Sequence, residues 1–200
     1  MFGKVKISSL KRNILKNLLI KTTHQKVLSF FLAHPTQRFY GLEISKKIGI
    51  SIGQTSKVLN DLLKAGVVEK EPRGKTELYH SIGDSHVLRI YKVLNTLISI
   101  DLLVAELKKV SRRIILFGSC AKGINIEESD LDLFIVSSNE KVLDIIAQYP
   151  LAEHCGFSDI KAIIKKPAEW AILEEKDPVF FNELQKGFLL YAKEIDESRL

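Results

Sequence analysis

Asp130 and Asp132 stand two residues apart at the head of Ser129-Asp130-Leu131-Asp132-Leu133-Phe134-Ile135-Val136, whose remainder is apolar, β-branched or aromatic. On a strand, residues i and i+2 leave the same face, so both carboxylates would project together. Two carboxylates on an otherwise apolar face are costly to bury unpaired. A divalent cation offsets that cost, and hard oxygen ligands suit magnesium, which usually arrives with substrate phosphates. Upstream, a second apolar run, Ile114-Ile115-Leu116-Phe117, stops at Gly118-Ser119. Glycine lets the backbone turn sharply and approach a ligand closely. The Ser119 hydroxyl and the amides behind it, if they open a helix, can hold a phosphate.

Together these residues carry a family resemblance. Gly118-Ser119-x3-Gly123-x5-Ser129-Asp130-Leu131-Asp132 resembles the signature of the polymerase-β-type nucleotidyltransferases and is most similar to their small, minimal prokaryotic branch. The match spans about 20 of the 200 residues, inside a domain expected over 112–200. The resemblance implies that Gly118 and Ser119 hold a triphosphate, with Ser129 and Lys122 beside it. It also implies that Asp130 and Asp132 bind Mg2+ or Mn2+, with a nucleoside triphosphate, ATP first among them, as substrate. Active members carry a third carboxylate on the third strand, here Phe157-Ser158-Asp159-Ile160-Lys161-Ala162-Ile163-Ile164. Asp159 and Lys161 share a face. One register brings Asp159 to the site and completes a catalytic set of Asp130, Asp132 and Asp159. The favoured register puts Lys161 there, an ammonium in place of a metal, which would silence catalysis.

The elements needed to position this site follow the same patterns. Apolar residues at three- and four-residue steps predict one long helix over 85–111, with Lys108 and Lys109 in its last turn. Its surplus apolar surface suits either the transferase unit or a second copy of the chain. A helix is expected over 139–149, stopped by Pro150, and a strand over 157–164. Pro167 suits the first turn of another helix. Phe180, Phe181, Leu184, Phe188 and Leu189 predict a last helix over 178–191. The expected carboxyl-terminal fold is a mixed α/β sheet covered by helices on one side.

The amino half differs in charge. Residues 1–85 hold 15 Lys and Arg against 6 Asp and Glu, a net of +9; residues 86–200 hold 15 against 18, a net of −3. That asymmetry suggests two units with different partners, the basic one suited to nucleic acid. Residues 4–21 read as a basic amphipathic helix, more a docking helix with a solvated face than an arm on a phosphate backbone. Beyond it come a helix over 22–35 with Thr23 as cap, a short helix over 42–49 stopped by Gly49, and a helix from the Ser51 cap to Gly66. A hairpin follows, with a basic Pro72-Arg73-Gly74-Lys75 turn. This order, and the segment Ile48-Gly49-Ile50-Ser51-x3-Thr55-Ser56-Lys57-x-Leu59-x2-Leu62, resembles the winged helix-turn-helix of many prokaryotic transcription regulators over 22–84. By that resemblance Gln54, Ser56, Lys57 and Asn60 would face double-stranded DNA in the major groove. Arg73 and Lys75 would sit at the wing. Ile52 and Gly53 depart from it by weakening the first turn of the recognition helix.

Composition narrows the rest. An apolar content of 46% and a charged content of 27% suit a globular protein. No run of about 18 apolar residues occurs, so no membrane span is expected. Cys120 and Cys155 offer no disulfide framework and read as packing residues of a cytoplasmic protein. The expected architecture is therefore a basic helix (1–21), a winged helix (22–84), a connecting helix (85–111) and a minimal nucleotidyltransferase (112–200). Its expected function is nucleotidyl transfer coupled to DNA binding. The alternatives are a transcription regulator with a silent, nucleotide-sensing transferase domain and, by resemblance to the minimal branch, an antitoxin paired with a toxin protein.

Overall fold

A computed structural model describes residues 22–82, 85–150 and 157–193. The basic helix expected over 1–21, and Cys155, lie outside the described residues. The chain divides into two compact units between Leu88 and Arg89. Among the described residues no helix is long and apolar enough to cross a membrane.

In the first unit, α1 (Thr23–Ala33) starts at Thr22, not at the expected Thr23: the Thr22 hydroxyl accepts from the Gln25 amide at 3.3 Å. The short strand β1 (Phe39–Tyr40) leads into α2 (Gly41–Ile48), and α3 (Ile52–Lys64) begins at the Ser51 cap. Gly49 ends α2 with φ +72°, a left-handed turn that glycine makes without strain. Strands β2 (Val68–Arg73) and β3 (Thr76–Ser81) form an antiparallel hairpin, and β1 joins β3, giving the order β1-β3-β2. Pairing continues through Pro72, which was expected in the turn. Proline lacks a donor, and edge strand β2 can accommodate it. Val27, Phe30, Phe31, Ile44, Val58 and Leu59 are at most 2% exposed and form the core of this unit. Apolar spacing on all three helices turns one face of each toward that core, leaving the polar face of α3 to solvent.

The second unit departs from the expected long helix. α4 (His86–Ser99) and α5 (Asp101–Leu107) are separated at Ile100, whose φ −96° and ψ 3° leave helical geometry. Backbone bonds from Ile100 to Thr96 and from Val104 to Ile100 still span the break. The side chain of Ile100 is fully buried, so the break sits where the helix meets its core. After α5 come β4 (Arg113–Phe117), α6 (Gly118–Lys122), β5 (Asp130–Val136), α7 (Lys141–Ala147) and β6 (Asp159–Lys165). Three short helices follow, α8 (Pro167–Ala171), α9 (Leu173–Lys176) and α10 (Pro178–Gln185).

The last helix expected over 178–191 stops at Gln185, and Phe188–Ala192 form strand β7, antiparallel to β4. Gly187 decides this. A Cβ there would lie 2.4 Å from the Leu116 carbonyl oxygen, so only glycine lets the chain come down beside β4. The sheet order is β6-β5-β4-β7, with β5 and β6 parallel and the other pairs antiparallel.

The sheet is covered on both faces, not on one. Leu131, Leu133 and Ile135 pack with Leu103 and Leu107 of α5 and Val142 of α7. Phe134 and Val136 point the other way, onto Leu173, Leu184, Trp170 and Phe180 of α8 to α10. The Phe134 ring lies 5.5 Å from that of Trp170 and 5.9 Å from that of Phe180. Strand alternation explains the split: the even-numbered residues of β5 begin as two aspartates and continue as two apolar residues. The α8–α10 layer covers the apolar end of that face, and the carboxylates occupy its other end.

Candidate functional site

Five backbone pairs join β4 to β5, ending at Phe117 opposite Asp132. One residue later Gly118, at φ +69°, turns the chain into α6. A Cβ on Gly118 would lie 2.2 Å from Oδ2 of Asp132. The glycine therefore does two things: it makes the left-handed turn and leaves room for a carboxylate directly against the backbone. Ser119, the next residue, is half-buried at the start of α6. The far end of α6 is set by a second close approach. Gly123 sits on the backbone of α4, where a Cβ would come 2.2 Å from the Arg89 carbonyl oxygen. Lys92 of α4 donates to the Asn125 carbonyl in the following loop.

Ser129, expected beside the nucleotide, closes that loop: its hydroxyl accepts from the Ile126 amide at 2.9 Å. Its carbonyl accepts from the Ser158 amide at 2.8 Å, tying the head of β5 to the head of β6. Lys122 is ion-paired with Glu183 of α10 and holds that carboxyl below the usual glutamate range. Cys120 is buried, and its thiol donates to the Asp130 carbonyl at 3.5 Å.

The parallel pairing of β5 and β6 places Asp130 opposite Asp159 and Asp132 opposite Lys161. Lys161 is the residue of β6 that reaches the acidic pair, with Nζ 2.5 Å from Oδ2 of Asp130. Asp159 turns its carboxylate onto its own strand, where Oδ1 accepts from the Ile160 amide at 2.7 Å. Burial pushes the Asp132 carboxyl up, the neighbouring Asp130 adds to the rise, and Lys161 opposes it. The hydrogen bond and charge of Asp130 raise the Lys161 ammonium above the usual lysine range. Thus the two carboxylates repel each other, and an ammonium is the charge that now offsets them.

That donor set bears on the metal. Asp130 and Asp132 supply carboxylate oxygens on one face, the ligand type magnesium takes. Among the described residues no group of three or more His, Cys, Asp and Glu side chains could hold a metal ion. The Asp130 and Asp132 carboxylates fit one cation shared with a phosphate-bearing ligand.

The expected DNA-facing residues, Gln54, Ser56, Lys57, Asn60, Arg73 and Lys75, are all exposed. Lys57, Arg73 and Lys75 make no ion pair among the described residues, whereas Lys70 pairs with Glu77 at 2.6 Å and Arg38 with Glu71 at 3.1 Å. Gln54 folds back instead, its Oε1 accepting from the Ser51 amide at 3.3 Å to complete a capping box on α3. Ser56 of α3 and Lys75 of the hairpin line one hollow of about 700 Å³, together with Leu42, Ile52, Leu59 and Tyr79.

Two features of these surfaces escaped sequence reasoning: the Gly123–Arg89 packing and the Lys122–Glu183 pair. Gly123 itself was visible as part of the motif. Nothing local marks its partner 34 positions upstream.

Residues 100–197, within the second unit, match the family model of the nucleotidyltransferase domain. No curated protein matches the chain. Two solved structures resemble it weakly. One is human N-acetylserotonin methyltransferase in complex with SAM, 12% identical over 54% of this chain and 36% of that one, with a TM-score of 0.31. The other is Pseudomonas aeruginosa HmgR, 14% identical over 57% of this chain and 45% of that one, with a TM-score of 0.30. The chain thus spans less than half the length of either. Likeness at this level says nothing of function.

Proposed function

We propose that the second unit binds a nucleoside triphosphate with Mg2+ and transfers its nucleoside monophosphate to an acceptor, and that the first unit is a winged helix-turn-helix that binds double-stranded DNA. One observation carries the transferase half: the Asp132 carboxylate lies against the Gly118 backbone, on a domain whose family match covers residues 100–197. Carboxylate and Gly-Ser turn then face a single bound ligand, the turn toward its phosphates and Asp130 and Asp132 toward its cation. In the reaction an acceptor oxygen attacks the α-phosphorus, the bond to the bridging oxygen of the β-phosphate breaks, and pyrophosphate leaves. The cation, when bound, offsets charge on the phosphate oxygens. The protein's own part is to orient the triphosphate through Gly118 and Ser119 and to fix the carboxylates through β5.

For the first unit, the support is the α2–α3 pair beside a hairpin, the exposed Lys57, Arg73 and Lys75, and the +9 charge of residues 1–85. Binding should be strongly salt-dependent. The test of the transferase half is pyrophosphate release from each nucleoside triphosphate, scanned over candidate acceptors. Asp130→Ala with Asp132→Ala should abolish release; turnover that survives the double substitution contradicts the assignment.

A second reading is favoured by the Lys161–Asp130 contact. With an ammonium against the acidic pair and the Asp159 carboxylate hydrogen-bonded to its own strand, the same unit would bind nucleotide without turning it over. The protein would then act as a nucleotide-sensing transcription regulator. Nucleotide binding that alters DNA affinity, with no pyrophosphate released, separates this reading from the first.

A further inference from the structure

We infer that Lys161 stands in for one metal ion, so that the second unit takes up a nucleoside triphosphate with a single divalent cation. The inference rests on the reading of Asp130 and Asp132 as metal ligands. Its support is the placement of β6. Residues paired across parallel strands share a face, so Lys161 projects on the same side as Asp130 and Asp132. Its Nζ reaches Asp130 at 2.5 Å while the lysine side chain stays 64% exposed, so the ammonium is held at the site without being buried there.

Charge and ligand count point the same way. Two carboxylates carry −2, and the ammonium already takes half of that. A lysine is a donor with no acceptor atom, so it blocks a coordination position that a carboxylate there would fill. One magnesium completes its shell with one or two carboxylates, substrate phosphates and water. Asp132 and the Asp130 oxygen not held by Lys161 meet that need. A second dication about 3.5–4 Å away would need bridging carboxylates and would stand beside a fixed positive charge. Asp159 turns Oδ1 onto the Ile160 amide, and among the described residues no three His, Cys, Asp or Glu side chains gather to hold a cation. Lys161 is thus a tethered cation beside Asp130, in the place of a second metal.

The test counts metal ions. Full-length chain is saturated with the non-hydrolysable analogue in which methylene bridges the α- and β-phosphates of ATP, titrated with Mn2+, and bound Mn2+ is read by electron paramagnetic resonance. One Mn2+ per bound nucleotide is expected for the natural sequence and two for Lys161→Asp. Lys161→Met, which keeps the side-chain bulk and removes the charge, should bind Mn2+ alone about tenfold more tightly than the natural chain. Thermal melts establish that each variant folds. Two Mn2+ in the natural chain, or one in Lys161→Asp, overturns the inference and leaves the nucleotide-binding reading standing. Failure of every variant to retain the nucleotide overturns both.

Discussion

The two candidate surfaces are built on opposite plans. In the second unit nearly every site residue is held by something specific: Asp132 by the Gly118 backbone, Asp130 by Lys161, Ser129 by the Ile126 amide, Lys122 by Glu183. In the first unit Ser56, Lys57, Asn60, Arg73 and Lys75 stand exposed on a scaffold whose core lies on the other side of the helices. Chemistry on a phosphate needs groups fixed to within a fraction of an ångström. A surface that meets a phosphate backbone works through charge and can leave its side chains free until they bind. Substitution should therefore disturb fold and function together in one region and function alone in the other.

The largest effect is expected at Gly118. Gly118→Ala places a Cβ 2.2 Å from Asp132 Oδ2 at a φ of +69°. Backbone strain of about 1–2 kcal/mol and overpacking of about 1–3 kcal/mol should together lower stability by roughly 2–5 kcal/mol. Nucleotide binding should be lost as well. Urea unfolding with a nucleotide titration on the same variant checks both; retained stability with retained binding would break the comparison from this side.

A smaller effect, confined to binding, is expected in the first unit. Replacing Lys57, Arg73 and Lys75 by alanine should lower the slope of log affinity against log salt by about 0.9 for each DNA phosphate that is no longer neutralised, with the melting temperature unchanged. Fluorescence anisotropy on a labelled duplex at several salt concentrations reads the slope. A fall in melting temperature would show that these residues support the fold and would blur the contrast.

The smallest effect sharpens the electrostatic side. Burial and Asp130 raise the Asp132 pKa, so ionising Asp132 costs stability. The wild-type contribution is full below the ordinary aspartate range and declines as pH rises through the raised pKa. Without metal, Asp132→Asn should therefore melt slightly higher than wild type at neutral pH, and the gap should close as the pH falls. Melting curves across that range decide it; a variant less stable at neutral pH would contradict the cause assigned to the shift.

How much was readable beforehand follows the range of the forces involved. Asp130, Asp132, Gly118 and the strands that carry them are marked by local composition and period-two alternation, and the structure places them where those signals point. Caps such as Ser51 are local too. Strand β7 was hidden because Phe180, Phe181, Leu184 and Phe188 keep helical spacing across a boundary that Gly187 and the neighbouring β4 impose. Covering of both sheet faces could not be read from β5 alone, since Phe134 and Val136 meet partners some 35 to 50 positions later. Gln54 was legible as exposed and polar; its return to the Ser51 amide engages its Oε1, the acceptor atom of the side chain.

The most direct measurement is calorimetric titration of Mg-ATP into the full chain and into the chain carrying Asp130→Asn and Asp132→Asn. The account predicts saturable binding by the natural chain and its loss in the double variant. Equal binding by both would contradict the central claim, because the ligand would then be held elsewhere than at the Gly118–Asp132 contact. No binding by the natural chain would contradict it as well.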